Sequence, residues 1–308
     1  MFAVVDVILL GSGATRPLPD RALAALWLQV GGRGLLFDCG EGTQVSAQRY
    51  GASLYKLDTL LLTHYHGDHL FGLPGLLQSM AALGRTEPVT VAGPPGLDAV
   101  LDAVLALAGP LPFALARHTF ADCRGTLALP GGAVITAFPA DHRVPCCLYR
   151  YTLPRAGRFL PEKAQALGIP VSLWRALQAG QPTGGFTPDQ VLGPARRGLC
   201  IVYATDTGPT AELAAMARDA DLLCMDATYA DDADTPKARL YGHATCAEAG
   251  ALAAEAGVRR LWLTHYSAAV TDTAPGLAAA RAKYPAAEAG FDGKRLTIPF
   301  DDSRKDAP

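Results

Sequence analysis

The run Thr63-His64-Tyr65-His66-Gly67-Asp68-His69-Leu70-Phe71-Gly72-Leu73-Pro74-Gly75 concentrates chemistry. Three of the chain's seven histidines and an aspartate fall within six positions, His64 to His69. In extended backbone, His64 and His66 point to the same side. Gly67 then permits a sharp turn. Asp68 and His69 follow at once and must point differently from the first pair. Two ligand pairs aimed at two places predict two metal ions. Imidazole and carboxylate suit zinc, and they also admit manganese or iron.

The elements that must hold this cluster are legible around it. Leu57 to Leu62 is apolar and reads as a buried strand, and Leu76 to Leu83 reads as the start of a helix, so the cluster occupies a strand-to-helix turn. Other chemically able residues also close apolar runs. His142 follows the strand pattern Val134 to Pro139, Asp206 follows Leu199 to Thr205, and His265 follows Arg260 to Thr264. Strands of one sheet deliver the side chains at their ends to a common edge, so His64, His66, Asp68, His69, His142, Asp206 and His265 can converge. His118 has no such context and reads as structural.

The remaining chain alternates in the same way. A strand at Val4 to Leu10 turns at Gly11-Ser12-Gly13, a weak dinucleotide signal because Arg16 stands where a third glycine belongs. A hairpin is expected from Leu23 to Val30 and Gly34 to Phe37 around Gly31-Gly32, then a helix to about Arg49. Val89 to Ala92 reads as a strand and Gly96 to Ala108 as a helix. Later helices are expected at Ala211 to Arg218, Thr245 to Glu255 and Pro275 to Lys283, with a strand at Leu222 to Met225. The tail after Phe300 is polar and expected to fray.

Composition narrows the function classes. The chain has 308 residues, half of them hydrophobic, enough for a large core. No uncharged apolar stretch reaches the roughly 18 residues of a membrane helix. Met1 to Leu10 lacks a basic start and a cleavage site and reads as a first strand. Seven scattered cysteines with no Cys-x-x-Cys pair point to a reducing cytoplasm and away from a disulfide framework or a thiolate zinc site. A net charge of -2 makes any nucleic-acid contact local. Residues 143–200 carry a balance of +6 against -8 for the remainder, with frequent Pro and Gly and a short helix expected near Ser172 to Ala179. An inserted arm over about residues 150–197, able to grip phosphates, is the expectation.

The cluster resembles the His-x-His-x-Asp-His signature of the metallo-β-lactamase superfamily. Its extension Phe71-Gly72-Leu73-Pro74-Gly75-Leu76-Leu77 resembles the ribonuclease Z family more narrowly, as do Asp38-Cys39-Gly40-Glu41-Gly42-Thr43, Gly242-His243-Ala244-Thr245 and Thr264-His265-Tyr266-Ser267. The resemblance runs from about Val5 to Phe300 and implies a single α/β domain, a four-layer αββα sandwich with an inserted arm. It implies that His64, His66 and His142 hold one zinc, that Asp68, His69 and His265 hold the other, and that Asp206 bridges them. It implies catalytic roles for Asp68, as acceptor of the proton of a shared water, and for His243, as proton donor to the leaving oxygen. Three departures bear on the site and the arm. Met225-Asp226-Ala227-Thr228 stands where the family usually has His-Glu-Ala-Thr, and Gly168-Ile169-Pro170 replaces a Pro-rich Gly-Pro segment; Leu148 also replaces a usual glycine.

The activity implied is a zinc-dependent cut of precursor tRNA after the discriminator nucleotide, leaving a 3′-hydroxyl. A dimer is implied by the same resemblance, an arm from one subunit serving the other's site. The alternative is a hydrolase or phosphodiesterase of the same fold acting on a small molecule, since such relatives share the metal set. A redox di-iron centre is disfavoured because His66 occupies its glutamate position. A non-enzymatic binding protein is disfavoured because no ligand is lost.

Overall fold

The computed structural model describes residues 4–301. The first three residues of the expected opening strand, and the tail from 302 onward, lie outside the described residues. Two sheets of seven strands each make up most of the larger of two compact units, among the described residues 4–152 with 200–299. The first contains β1 (Val4–Gly11), β2 (Ala25–Val30), β3 (Arg33–Phe37), β4 (Leu57–Leu61), β5 (Val89–Gly93), β6 (Leu115–Thr119) and β14 (Arg295–Pro299), in the order β14-β1-β2-β3-β4-β5-β6. The second contains β7 (Gly125–Ala128), β8 (Val134–Pro139), β9 (Cys147–Arg155), β10 (Arg196–Ala204), β11 (Leu222–Asp226), β12 (Leu261–Thr264) and β13 (Ala287–Ala289), in the order β13-β12-β11-β10-β9-β8-β7.

Parallel pairing explains the near-continuous apolar runs. β3 to β6 run parallel in the first sheet, and β10 to β13 in the second. Strands covered on both faces have no polar side. All five residues of β11 are buried accordingly. Alternate side chains serve two cores. Leu223 and Met225 face a cluster built with α7 (Ala211–Ala217), α9 (Cys246–Ala256) and α10 (Ala274–Lys283). Leu36, Leu60 and Leu62 face one built with α1 (Thr43–Arg49), α3 (Leu73–Ala82) and α4 (Leu97–Ala108). Between the sheets the Phe37 ring sits 5.3 Å from Tyr203 and 5.9 Å from Tyr149, and the Tyr149 hydroxyl donates to Leu62 O at 2.6 Å. The result is the expected helix-sheet-sheet-helix sandwich.

Details depart from expectation for local reasons. A short helix, α2 (Gly67–Leu70), forms within the cluster itself, and α3 begins at Leu73 with Pro74 in its first turn, where proline's missing N–H costs nothing. Residues 150–155, expected to open the inserted arm, instead continue β9. Arg150 turns back to donate to Met216 O, so its charge serves the sandwich. The helix α8 (Thr235–Tyr241) and the strands β6, β7, β13 and β14 had no strong pattern in the sequence. Gly31 and Gly32 take φ of 56° and 84°, the conformation a two-residue hairpin turn demands. Among the described residues no helix is long and apolar enough to cross a membrane.

The second compact unit comprises, among the described residues, 153–199 with 300–301. It contains α5 (Pro161–Ala166) and α6 (Val171–Gln178), around a small core of Ala164, Ile169, Leu177 and Val191. The Trp174 ring packs tilted at 46°, 5.2 Å from Phe159, and donates its indole N–H to Ile169 O at 3.0 Å. Residues 153–199 carry six basic side chains against two acidic ones.

Candidate metal centre

The functional residues leave the carboxyl ends of strands in both sheets. Asp38 follows β3, Thr63 to His69 follow β4, His142 follows β8, Asp206 follows β10, Asp226 ends β11, and His265 follows β12. Three of them, Asp38, Asp206 and His265, have φ of 56°, 53° and 62°. Non-glycine residues adopt this left-handed conformation at a cost, and such strain concentrates at functional positions. Here it turns the chain off the strand end and leaves the side chain over the sheet edge.

Hydrogen bonds then orient the imidazoles. The Thr63 hydroxyl donates to Asp38 at 2.9 Å and so accepts from His64 Nδ1 at 3.1 Å. His69 Nδ1 donates to Asp38 Oδ2 at 2.8 Å, and His142 Nδ1 to Gly242 O at 3.1 Å. The Thr228 hydroxyl donates to His265 O at 3.0 Å and accepts from His265 Nδ1 at 3.1 Å. Each of these four rings is held by Nδ1 and presents Nε2 to the centre, the arrangement by which outer carboxylates and carbonyls fix metal-binding histidines. His66 alone presents Nδ1, 2.8 Å from His64 Nε2.

The atoms so presented form the groups His64, His66, His142 and Asp206, and Asp68, His69 and His265; His243 joins Asp206 and His265 in a third group that overlaps them. Within each group the ligand atoms lie within 4.8 Å of one another. Asp206 faces both. Its Oδ1 is 3.8 Å from His64 Nε2, and its Oδ2 is 3.0 Å from His69 Nε2 and 3.1 Å from His265 Nε2. His142 Nε2 and Asp206 Oδ2 are nevertheless buried with no hydrogen-bond partner. Buried polar atoms are rarely left so. Lone pairs converging at these distances fit a cation, and the nitrogen and oxygen donor set fits zinc. The seven sequence-expected ligands are thus all brought together. His118 is not among them; its ring packs 4.7 Å from Phe120 beside β6.

The electrostatics match ligand chemistry. Burial pushes His64 and His142 below the usual imidazole range and keeps them neutral. Burial opposes ionisation of Asp206 and Asp68, yet the surrounding histidines outweigh it and hold both carboxyls well below their usual range. Burial likewise opposes charging of His265, but Asp206, Asp226 and Asp68 raise its pKa to about 10. Without a cation, protons therefore balance the carboxylates at neutral pH. Metal loading at pH 7 should release protons, and affinity should fall as pH is lowered because protonated His265 competes. Calorimetric titration of apo-protein with zinc in buffers of different ionisation enthalpy reads this directly. Buffer-independent heats would contradict it.

Two carboxylates outside the ligand set complete the design. Asp226 accepts from His243 Nδ1 at 2.8 Å, Asp206 N and Thr228 N at 2.9 Å, and Ala244 N at 3.2 Å. Every contact is a donor, so the shorter Asp226 still ties His243 to the centre. Burial would lower the His243 pKa, but Asp226 and then Asp206 raise it. The role of Asp38 as acceptor from His69 was not foreseen, although Asp38 closes the apolar run Leu35-Leu36-Phe37 as Asp206 closes its own strand.

The centre opens into a cleft of 570 Å³ lined by His66, Asp68, His142, Asp206, His243 and His265, with Thr15, Arg16, Glu41, Phe71 and Arg143 among its other walls. Thr15 N donates to Asp68 Oδ2 at 2.7 Å. Residues 33–266 match the β-lactamase superfamily domain. The ribonuclease Z of Lachnoclostridium phytofermentans is 41% identical over 302 residues, spanning 97% of this chain and 99% of the relative. That of Salinibacter ruber is 42% identical over 306 residues, spanning 96% and 94%. The crystal structure of the short form of human tRNase Z shares the fold, with a TM-score of 0.71 at 24% identity over 96% of this chain and 100% of that one. The chain therefore belongs to the ribonuclease Z family of the metallo-β-lactamase superfamily and is a metal-dependent endoribonuclease of that type.

Proposed function

We propose that this protein is a dizinc enzyme that removes the 3′ trailer of precursor tRNA, cutting after the discriminator nucleotide and leaving a 3′-hydroxyl on the tRNA. The observation that carries the reading is the juxtaposition of a bridged two-group ligand set with the Asp226–His243 pair at the wall of one open cleft. His64, His66 and His142 would hold one ion, Asp68, His69 and His265 the other, and Asp206 both. When bound, two such ions would acidify a shared water to a pKa of about 7 and neutralise the phosphoryl oxygens. Asp68, fixed by Thr15 N–H, accepts the proton of the attacking water. His243 is held by Asp226 through Nδ1, so Nε2 carries the proton for the leaving oxygen. The raised His243 pKa keeps that proton in place near neutral pH.

Incubating the purified protein with a 3′-extended tRNA transcript and mapping the new end tests the reading. Cleavage after the discriminator with a free 3′-hydroxyl is the expected result. An intact transcript beside a hydrolysed small phosphodiester would replace it with the small-molecule reading. The reading includes a cytoplasmic location and a homodimer; a monomer by light scattering would remove the latter.

The second compact unit is proposed as the tRNA-gripping arm. Arg143 and Arg150 belong to the larger unit, so the basic excess of the arm is smaller than the stretch 143–200 implied. Phosphate contacts of this kind are sequence-independent and salt-sensitive. Replacing the segment between the end of β9 at Arg155 and the start of β10 at Arg196 by a Gly-Ser linker should abolish precursor tRNA binding. Hydrolysis of a small chromogenic phosphodiester should persist. Normal tRNA processing by this variant would reduce the arm to an insertion.

A further inference from the structure

Two cation-aromatic pairs stand beside His243 and take no part in the ligand set. The guanidinium of Arg143 lies 4.9 Å from the centre of the Tyr241 ring, and Lys237 Nζ lies 5.1 Å from that of Tyr229. Such pairs are attractive through the ring quadrupole. They differ in accessibility. Tyr229 is buried, its ring centre 6.3 Å from that of His243. Tyr241 is 37% exposed, and Arg143 lines the cleft.

Gly242 links the exposed pair to the centre. It ends α8 in the left-handed conformation, with φ of 71° and ψ of 48°, and its carbonyl accepts His142 Nδ1–H. A Cβ at this position would come within 2.9 Å of His142 Cα and 2.8 Å of its Nδ1. Only glycine lets the Tyr241 segment lie this close to the loop carrying His142 and Arg143. Tyr241 and His243 flank the same glycine, and the Arg143 guanidinium that packs on the Tyr241 ring lines the cleft together with His243.

Displacement at phosphorus assigns this side of the cleft. The oxygen of water forms its bond to phosphorus opposite the leaving oxygen. The P–O3′ bond breaks with its electron pair going to O3′, which takes the proton from His243 Nε2. The nucleotide that owns O3′, immediately 5′ of the cut, therefore lies on the His243 side. We propose that Tyr241 and Arg143 form a stacking platform for the base of that nucleotide. This rests on the tRNA-trimming reading and deepens it. An exposed ring backed by a guanidinium takes the face of a base and does not read its edges. All four bases are accepted, and a nucleotide without a base is not held.

Single-turnover cleavage tests the platform with transcripts that carry either a base or an abasic residue immediately 5′ of the cut. Base-aromatic stacking corresponds to about 10- to 100-fold per base. Loss of the base should slow the wild type by that factor. Tyr241→Ala should slow the base-bearing transcript similarly and add no further loss on the abasic one, while Tyr241→Phe cuts both as wild type does. Arg143→Gln gives the same coupling in weaker form and serves if Tyr241→Ala loses metal. Equal slowing of both transcripts by Tyr241→Ala and Arg143→Gln overturns the platform. So does coupling to an abasic residue placed at the first trailer nucleotide. If the wild type leaves every transcript uncut, the trimming reading itself fails and the platform with it; wild-type cutting without coupling removes the platform alone.

Discussion

Asp206→Ala is expected to strip the centre of metal. Each of the other ligands is proposed for one ion, but Asp206 places one oxygen 3.8 Å from His64 Nε2 and the other within 3.1 Å of His69 and His265 Nε2. Its removal takes a ligand from both ions at once. It also removes the negative charge that His265, His69 and His64 surround, the charge that would offset the two cations. The residue is almost wholly buried, and water has limited means of taking its place. Elemental analysis of protein prepared without chelator should give close to two equivalents of zinc for the wild type and a large loss for the variant. His118→Ala, which changes no member of a ligand group, should keep the wild-type content. An Asp206→Ala protein retaining both ions would show that the carboxylate does not bridge.

His243→Ala should leave metal content intact and slow RNA cleavage by about 10²- to 10⁴-fold, the usual contribution of a positioned general acid. The ring is held by its Nδ1–H bond to Asp226 and packs parallel to His265 with centroids 5.5 Å apart. Deleting it removes a proton, not a ligand of either proposed ion. The defect should shrink on a nitrophenyl phosphodiester, whose leaving oxygen needs no proton. Equal loss on both substrates would make His243 a positioning residue. The pH profile gives an independent check. Asp226 raises the His243 pKa, so Asp226→Asn should lower it, and the acid form should be lost at lower pH. The alkaline limb of kcat/KM should then move to lower pH. An unmoved limb would mean that another group supplies the proton.

Most of the centre was legible without coordinates because its ligands are local or punctuate strands. His64 to His69 sit in one turn, where spacing alone separates two directions. Asp206 and His265 end apolar runs, and parallel strands carry such ends to one edge. Burial on both faces wrote β4, β10, β11 and β12 as unbroken apolar stretches, which is why those elements were found. Short or edge elements such as β6, β7, β13 and α8 lack that signal, since pairing with neighbours decides them. Cys147 to Arg155 looked like part of a basic insertion because its arginines dominate the composition; only pairing with β8 makes it a strand and turns Arg150 toward Met216. Tertiary structure also decided what holds the ligands. Asp38 reaches His69 across 31 positions and Gly242 reaches His142 across 100, distances over which no periodicity operates. The sequence by itself determined which atoms could bind metal. The fold decided which nitrogen of each ring faces it, because that choice belongs to partners brought in from other strands.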